Sequence, residues 1–166
     1  KKILPNIVNL WAEILNQVPK SVLWLLSDND DSKKNLNIEF EKKKIDPKRI
    51  IFGSKVPITE HLARIKFADL FLDTFPYNAH TTSSDAVRMG IPIVTLKGKS
   101  FASRVTASIL NQVDMTQLVT DSVEKFEEKA IELATNNEKL KEIKENIKKN
   151  VHDSKLFDSL TFIKDL

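Results

Sequence analysis

The stretch Leu70-Phe-Leu-Asp-Thr-Phe-Pro-Tyr-Asn-Ala-His-Thr-Thr-Ser-Ser-Asp-Ala-Val-Arg-Met-Gly-Ile-Pro-Ile-Val-Thr-Leu96 decides the fold. Its two ends, Leu70–Asp73 and Ile93–Leu96, are short apolar runs that read as strands. Between them a polar turn leads into a helix from Ser83 to Met89, which Gly90 stops and Pro92 keeps from resuming. Thr82 with Asp85 three positions on has the form of a capping box. Strand, helix and strand joined by short connections make a parallel unit with a right-handed crossover.

The alternation extends both ways. Upstream, Ile7, Leu10, Trp11, Ile14, Leu15 and Val18 recur at helical spacing behind Asn6, an acceptable N-cap, and Pro19 ends that helix. Ser21-Val-Leu-Trp-Leu-Leu26 is continuously apolar, the pattern of a strand covered on both faces. A polar helix is expected over Asp31–Lys44, a strand at Ile50–Phe52 and a helix from Thr59 to Phe67. Downstream, a helix is expected from Phe101 to Leu110. From Asp121 the strands stop. Val123, Phe126, Ala130 and Leu133 mark one helix, Leu140, Ile143, Ile147 and Val151 a second, and Leu156–Leu166 a third. The expected fold class is α/β: a Rossmann-like open parallel sheet with helices on both faces and a helical C-terminal tail. Residues 1–120 form the Rossmann-like lobe, and residues 121–166 are helices packed on the same domain.

Composition removes several function classes. The 166 residues contain no cysteine, which excludes disulfide frameworks, thiolate catalysis and cysteine-ligated zinc or iron–sulfur sites. Lys and Arg number 26 against 23 acids, a net +3, and much of the excess falls between Lys139 and Lys149 without interleaved aromatics. That is a solvated helix rather than a nucleic-acid groove. No run approaches the ~18 apolar residues of a membrane span. The chain opens without methionine or signal peptide, so it reads as a piece of something longer, with a first strand expected upstream of Lys1. With glycine only at positions 53, 90 and 98, neither a dinucleotide fingerprint nor a P-loop is present. His61, His80 and His152 lack the ligand spacing of a zinc site, so no metal is expected.

Ligands of open α/β sheets bind beyond the carboxyl ends of the strands. There the unpaired amides at the start of the helix after Leu70–Asp73, with the Thr81 and Thr82 hydroxyls and His80, make an anion site, or Thr82 merely caps a helix and His80 is a loop residue. His61 follows another strand end, where it stacks on a base or is simply an exposed helix residue. Asp28, Asp30 and Asp31 by themselves read as a polar turn, and Lys2, Lys97 and Lys99 as surface charges.

Together these segments resemble the C-terminal part of the catalytic region of the O-GlcNAc transferase and SPINDLY family of glycosyltransferases. The carrying residues are Val18-Pro19 with Ser21–Leu26, Arg49–Phe52, Glu60-His61, Ala68-Asp69 with Leu72-Asp-Thr74, Asn78–Thr82 with Asp85, Gly90–Thr95 and Ala102–Val105. The likeness is dense from Pro19 to Leu110 and thins in the tail. It implies the C-terminal lobe of a GT-B enzyme, the lobe that holds the nucleotide sugar. It further implies that Lys2, His80, Thr81 and Thr82 meet the donor phosphates, that His61 and Asp85 meet the nucleoside, and that no metal or other cofactor is used. The implied reaction is inverting transfer of GlcNAc from UDP-GlcNAc to serine or threonine of a protein acceptor, in a cytoplasmic parent that also carries an N-terminal catalytic lobe and TPR repeats. No nucleic acid or membrane partner is implied, and the catalytic base is not identified.

Two positions depart from the family. Ile58 stands where O-GlcNAc transferases carry a lysine, and Ser83 where their turn has glycine. The donor therefore stays open between UDP-GlcNAc and the GDP-fucose to which some SPINDLY members are linked, and a non-catalytic interaction lobe is a further alternative. Without its N-terminal lobe the chain is expected to bind nucleotide weakly and to transfer nothing. A reading from another class, a phosphoacceptor receiver domain, would use Asp28, Asp30 and Asp31 for metal, Asp73 as acceptor and Thr95 as switch hydroxyl.

Overall fold

The computed structural model describes residues 3–27, 29–158 and 163–164. The chain divides into two compact units, Lys1–His61 and Leu62–Leu166. Among the described residues its strands are parallel throughout, in one sheet of two and one of three rather than a single continuous sheet.

In the first unit, α1 (Pro5–Gln17) starts on Pro5, whose ring pre-sets a helical φ and whose missing N–H would have had no partner anyway. Leu4 is accordingly the N-cap, not Asn6, whose side-chain oxygen accepts from the Ile7 N–H at 3.0 Å inside the first turn. Ile7, Val8, Leu10, Trp11, Ala12, Ile14 and Leu15 form its buried face. The strands β1 (Leu23–Leu26) and β2 (Ile50–Gly53) pair from Leu23 opposite Ile50 to Leu26 opposite Gly53. Arg49, just ahead of β2, donates to the carbonyls of Leu15 at 2.9 Å, Val18 at 2.8 Å and Ser21 at 2.8 Å. It thereby satisfies carbonyls that the end of α1 leaves open.

The continuous apolar run of β1 is covered on one face only. Leu25 is buried, whereas Trp24 is 38% and Leu26 54% exposed, and Ile51, opposite Trp24, is exposed too. Asp30 and Asp31 form the first turn of α2 (Asp30–Lys42), favourable against its dipole, with Asn29 capping the Ser32 N–H at 2.9 Å. Asp28 lies outside the described residues. The helix α3 (Ile58–Ile65) is shorter than the expected Thr59–Phe67 segment, and the boundary between the units falls inside it.

In the second unit, β3 (Phe71–Leu72), β4 (Ile93–Leu96) and β5 (Val119–Thr120) lie in the order β3-β4-β5. The sequence reading missed β5, because two residues carry no periodicity. The helical segments that follow or separate these strands include α4 (Thr81–Arg88), 3-10 turns at Phe101–Ser103 and Thr116–Leu118, α5 (Val105–Gln112), α6 (Val123–Thr135) and α7 (Asn137–Asp153). A single helix from Phe101 does not form: the Ser100 and Ser103 side chains close a reciprocal cap on the 3-10 turn, and α5 starts separately behind Arg104.

The helices α6 and α7 begin at Ser122 and Asn136, whose side chains accept from Lys125 N–H at 3.2 Å and Lys139 N–H at 3.0 Å. The former packs on β4 and β5, the latter on α6 and α4. Ile93, Val94, Leu118, Phe126, Leu133 and Ile147 are fully buried at the centre. Gly90 closes α4 at φ 77°, a left-handed position, and a Cβ there would meet the Lys148 side chain at 2.8 Å. Of the third tail helix expected over Leu156–Leu166, a 3-10 turn at Lys155–Phe157 and helical Ile163-Lys164 are seen, and the rest lies outside the described residues. Among the described residues no helix is long and apolar enough to cross a membrane.

Candidate functional site

The carboxyl end of β3 runs into a compact turn made by its own polar side chains. Thr74 Oγ1 donates to the Tyr77 carbonyl at 2.7 Å and Asn78 Nδ2 to the Thr74 carbonyl at 2.9 Å. The Asn78 N–H reaches the Ala102 carbonyl at 2.9 Å, tying the turn to the 3-10 segment after β4. The Phe75–Pro76 peptide is cis, and Phe75 lies edge-on to Phe126 at 6.1 Å. Tyr77 stacks on His80 at 5.0 Å with 14° between the rings, and Phe101 meets His80 edge-on at 6.3 Å. His80 Nε2 is buried and has no hydrogen-bond partner.

The helix α4 starts at Thr81, two residues earlier than the sequence suggests. His80 becomes the N-cap, with no side-chain cap bond, and Asp85 becomes the fifth residue of the helix, so the expected Thr82–Asp85 capping box does not form. The departure follows from Ser83, whose hydroxyl is turned inward to the Thr106 hydroxyl at 2.8 Å, drawing residue 83 into the helix. What remains is a first turn with no acid and no capping side chain, carrying the exposed Thr81 and Thr82. Its backbone amides keep the open donors of every helix start, at the positive end of the dipole.

Of the other residues singled out in the sequence, Asp85 is half-buried on α4 beside this turn. His61 is half-buried on α3 and belongs to the first unit, its N–H bonded to the Pro57 carbonyl at 2.9 Å. Lys2 lies outside the described residues. Lys97 and Lys99 are exposed beyond β4. A recess of about 790 Å³, lined by Lys97, Phe101, Arg104, Ser108, Asn111 and Thr116 among others, adjoins the turn through Phe101. Among the described residues no three His, Asp or Glu side chains group as metal ligands.

Asp73 is 1% exposed and Thr95 fully buried, so neither is a phosphoacceptor or switch residue open to a donor, and the receiver reading fails. Burial pushes the Asp73 carboxyl up. The Ala79 N–H, the Thr95 hydroxyl and the Thr74 N–H oppose that rise without cancelling it. The folded protein therefore holds this proton more tightly than the unfolded chain, where aspartate titrates near ~3.9. The stabilisation linked to this proton is whole below the unfolded value and is lost as pH rises through the folded one. Asp73→Asn is expected to gain stability relative to the wild type on going from about pH 4 to neutrality. Denaturant unfolding at both pH values checks this, and a pH-independent difference contradicts it.

The sequence reading overlooked Tyr77, Phe101 and Thr106. The first two are aromatics in otherwise polar turns. Thr106 is a hydroxyl on the apolar face of a helix, a position that asks for a buried partner.

Parallel strands whose carboxyl ends lead into an uncapped helix start place the chain among open α/β domains, in which ligands bind beyond the carboxyl ends of the strands. The chain belongs to glycosyl transferase family 41, whose model matches residues 1–166. It is 34% identical over 99% of its length to a probable UDP-N-acetylglucosamine-peptide N-acetylglucosaminyltransferase, SEC, of Arabidopsis thaliana, covering 17% of that protein. It is 33% identical over 99% of its length to the UDP-N-acetylglucosamine-peptide N-acetylglucosaminyltransferase of Caenorhabditis elegans, covering 14% of it. Among solved structures, a mutant O-GlcNAc transferase of Thermobaculum terrenum superposes with a TM-score of 0.91 at 30% identity, over 97% of this chain and 32% of that one. The chain thus spans less than a fifth of the curated relatives' length.

Proposed function

We propose that this chain is the nucleotide-sugar-binding lobe of an inverting protein O-glycosyltransferase, and that the donor diphosphate sits on the first turn of α4. The observation that carries this reading is the uncapped start of α4, with Thr81 and Thr82 exposed and His80 Nε2 buried without a partner beside it. In this reading His80, Thr81 and Thr82 hold the phosphates together with Lys2, and His61 and Asp85 serve the nucleoside. When the bond from the sugar's anomeric carbon to the diphosphate breaks, its electron pair moves onto the phosphate oxygen. The helix start, the hydroxyls and Lys2 supply the countercharge there, so the same proposal includes transfer without a metal cofactor. The acceptor serine or threonine oxygen forms the new bond, and its proton leaves to a base outside this lobe.

UDP-GlcNAc is the donor that the names of the Arabidopsis and Caenorhabditis proteins support, and the Thermobaculum name supports GlcNAc as the sugar. A GDP-fucose donor is favoured only by Ile58 and Ser83, the two departures from the O-GlcNAc transferase pattern. The acceptor groove, the N-terminal lobe, the TPR repeats and a cytoplasmic setting belong to the longer parent in the same proposal. The test is transfer of labelled sugar from UDP-GlcNAc and from GDP-fucose to a protein acceptor, by the parent and by this chain. The parent is expected to transfer GlcNAc, to lose most of that activity as the Thr81→Ala/Thr82→Ala double variant, and this chain alone to transfer neither sugar. Transfer by this chain alone, or a parent inert with both donors, contradicts the reading.

A further inference from the structure

Asp73 and Thr106 act together on one peptide. The Ala79 N–H donates to Asp73 Oδ1 at 2.7 Å, and the Ala79 carbonyl accepts from Thr106 Oγ1 at 3.0 Å. The same Asp73 oxygen takes the Thr74 N–H at 2.8 Å, and its other oxygen takes the Thr95 hydroxyl at 2.7 Å. Thr95 is in turn held through its carbonyl by the Thr120 hydroxyl at 2.9 Å. With the Thr106 proton committed to Ala79, Ser83 is the donor in the 2.8 Å pair with Thr106. Asp73, Ser83, Thr95, Thr106 and Thr120 are all more than nine-tenths buried. The network ends on residues 79 and 83, and the exposed Thr81 and Thr82 lie between them.

We propose that Asp73 and Thr106 are positioning residues that clamp the Ala79 peptide and so fix the aim of the His80–Thr82 turn before any anion arrives. Neither residue touches the exposed face of the turn. Their effect reaches a ligand only through Ala79 on one side and Ser83 on the other. A turn held at both flanks presents its donors without having to order them on binding, which is the advantage of preorganisation. The clamp also accounts for where α4 begins, since Ser83 is pulled inward and the helix then runs from Thr81. This inference rests on the diphosphate reading of the turn given above.

The test uses amide NMR on this chain as wild type, Thr106→Val, Thr106→Ser and Asp73→Asn, first without ligand and then titrated with UDP, GDP and their nucleosides. Thr106→Val leaves the buried Ala79 carbonyl without its donor, and Thr106→Ser restores it. Asn at position 73 still accepts from Ala79 and Thr74 and can donate to the Thr95 hydroxyl. Asp73→Ala risks unfolding, so these milder variants are used. Thr106→Val is expected to speed exchange at the Ala79–Ser83 amides. It is also expected to weaken the diphosphate by about five- to tenfold, with nucleoside affinity unchanged. Thr106→Ser and Asp73→Asn should behave as wild type in both respects. Equal losses for diphosphate and nucleoside, no loss in Thr106→Val, or failure of Thr106→Ser to rescue overturns the clamp. A wild-type protein that binds neither diphosphate overturns the reading on which the clamp rests. In that case unchanged exchange at Ala79–Ser83 in Thr106→Val overturns the clamp separately.

Discussion

Phe126→Ala is expected to destabilise the Leu62–Leu166 unit by about 3–5 kcal/mol, enough to unfold a marginal domain. The ring is fully buried and lies edge-on to Phe75 at 6.1 Å, so it supports both the sheet and the turn that leads to α4. Alanine would leave a cavity that α6 cannot close, because that helix is also packed on β4 and β5. Phe126→Leu, which fills most of the space, should lose roughly a third to a half as much. Urea denaturation of the two variants measures this. A loss below about 1 kcal/mol for alanine would mean that the site collapses freely and that Phe126 does not brace the turn.

Thr82→Asp should move stability and binding in opposite directions. A carboxylate in the first turn of α4, where there is now no acid, favours the helix by about 0.3–1 kcal/mol. The same charge repels a diphosphate on that turn. At ~4–5 Å and an effective dielectric constant between ~40 and ~80, each pair of charges contributes roughly 1–2 kcal/mol, so the diphosphate should bind at least about tenfold more weakly. Thermal unfolding and a titration with UDP or GDP on one sample separate the two effects. A variant that gains stability and keeps its diphosphate affinity would remove the anion from the start of α4.

The residues that carried the fold in the sequence were those whose pattern is long. The apolar faces of α1, α6 and α7 and the Gly90-Ile-Pro92 stop after α4 were all legible. The two residues of β5 were not, since a strand that short is set by the edge it pairs with. The run Ser21–Leu26 misled in a different way: its apolar continuity predicted two covered faces, and Trp24 and Leu26 are exposed. At the candidate site, His80, Thr81 and Thr82 were identified from residue type and position. The start of α4 was missed because Ser83 is fixed by Thr106, a partner 23 residues away that local spacing cannot reveal. Asp73 was read as a reactive carboxylate only under the rival receiver reading. Its identity at a strand end suggested chemistry, and only its burial among Thr74, Ala79 and Thr95 shows it to be a buried acceptor of hydrogen bonds.

The proposed function stands on a nucleoside diphosphate at the first turn of α4. The most direct measurement is the backbone amide spectrum of this chain titrated with UDP and, separately, with GDP. Saturable shifts centred on His80, Thr81, Thr82 and Ser83 are expected with one of the two nucleotides, and their loss in the Thr81→Ala/Thr82→Ala double variant. Shifts confined to the recess beside Thr116, or shifts at the turn that survive in the double variant, would contradict it.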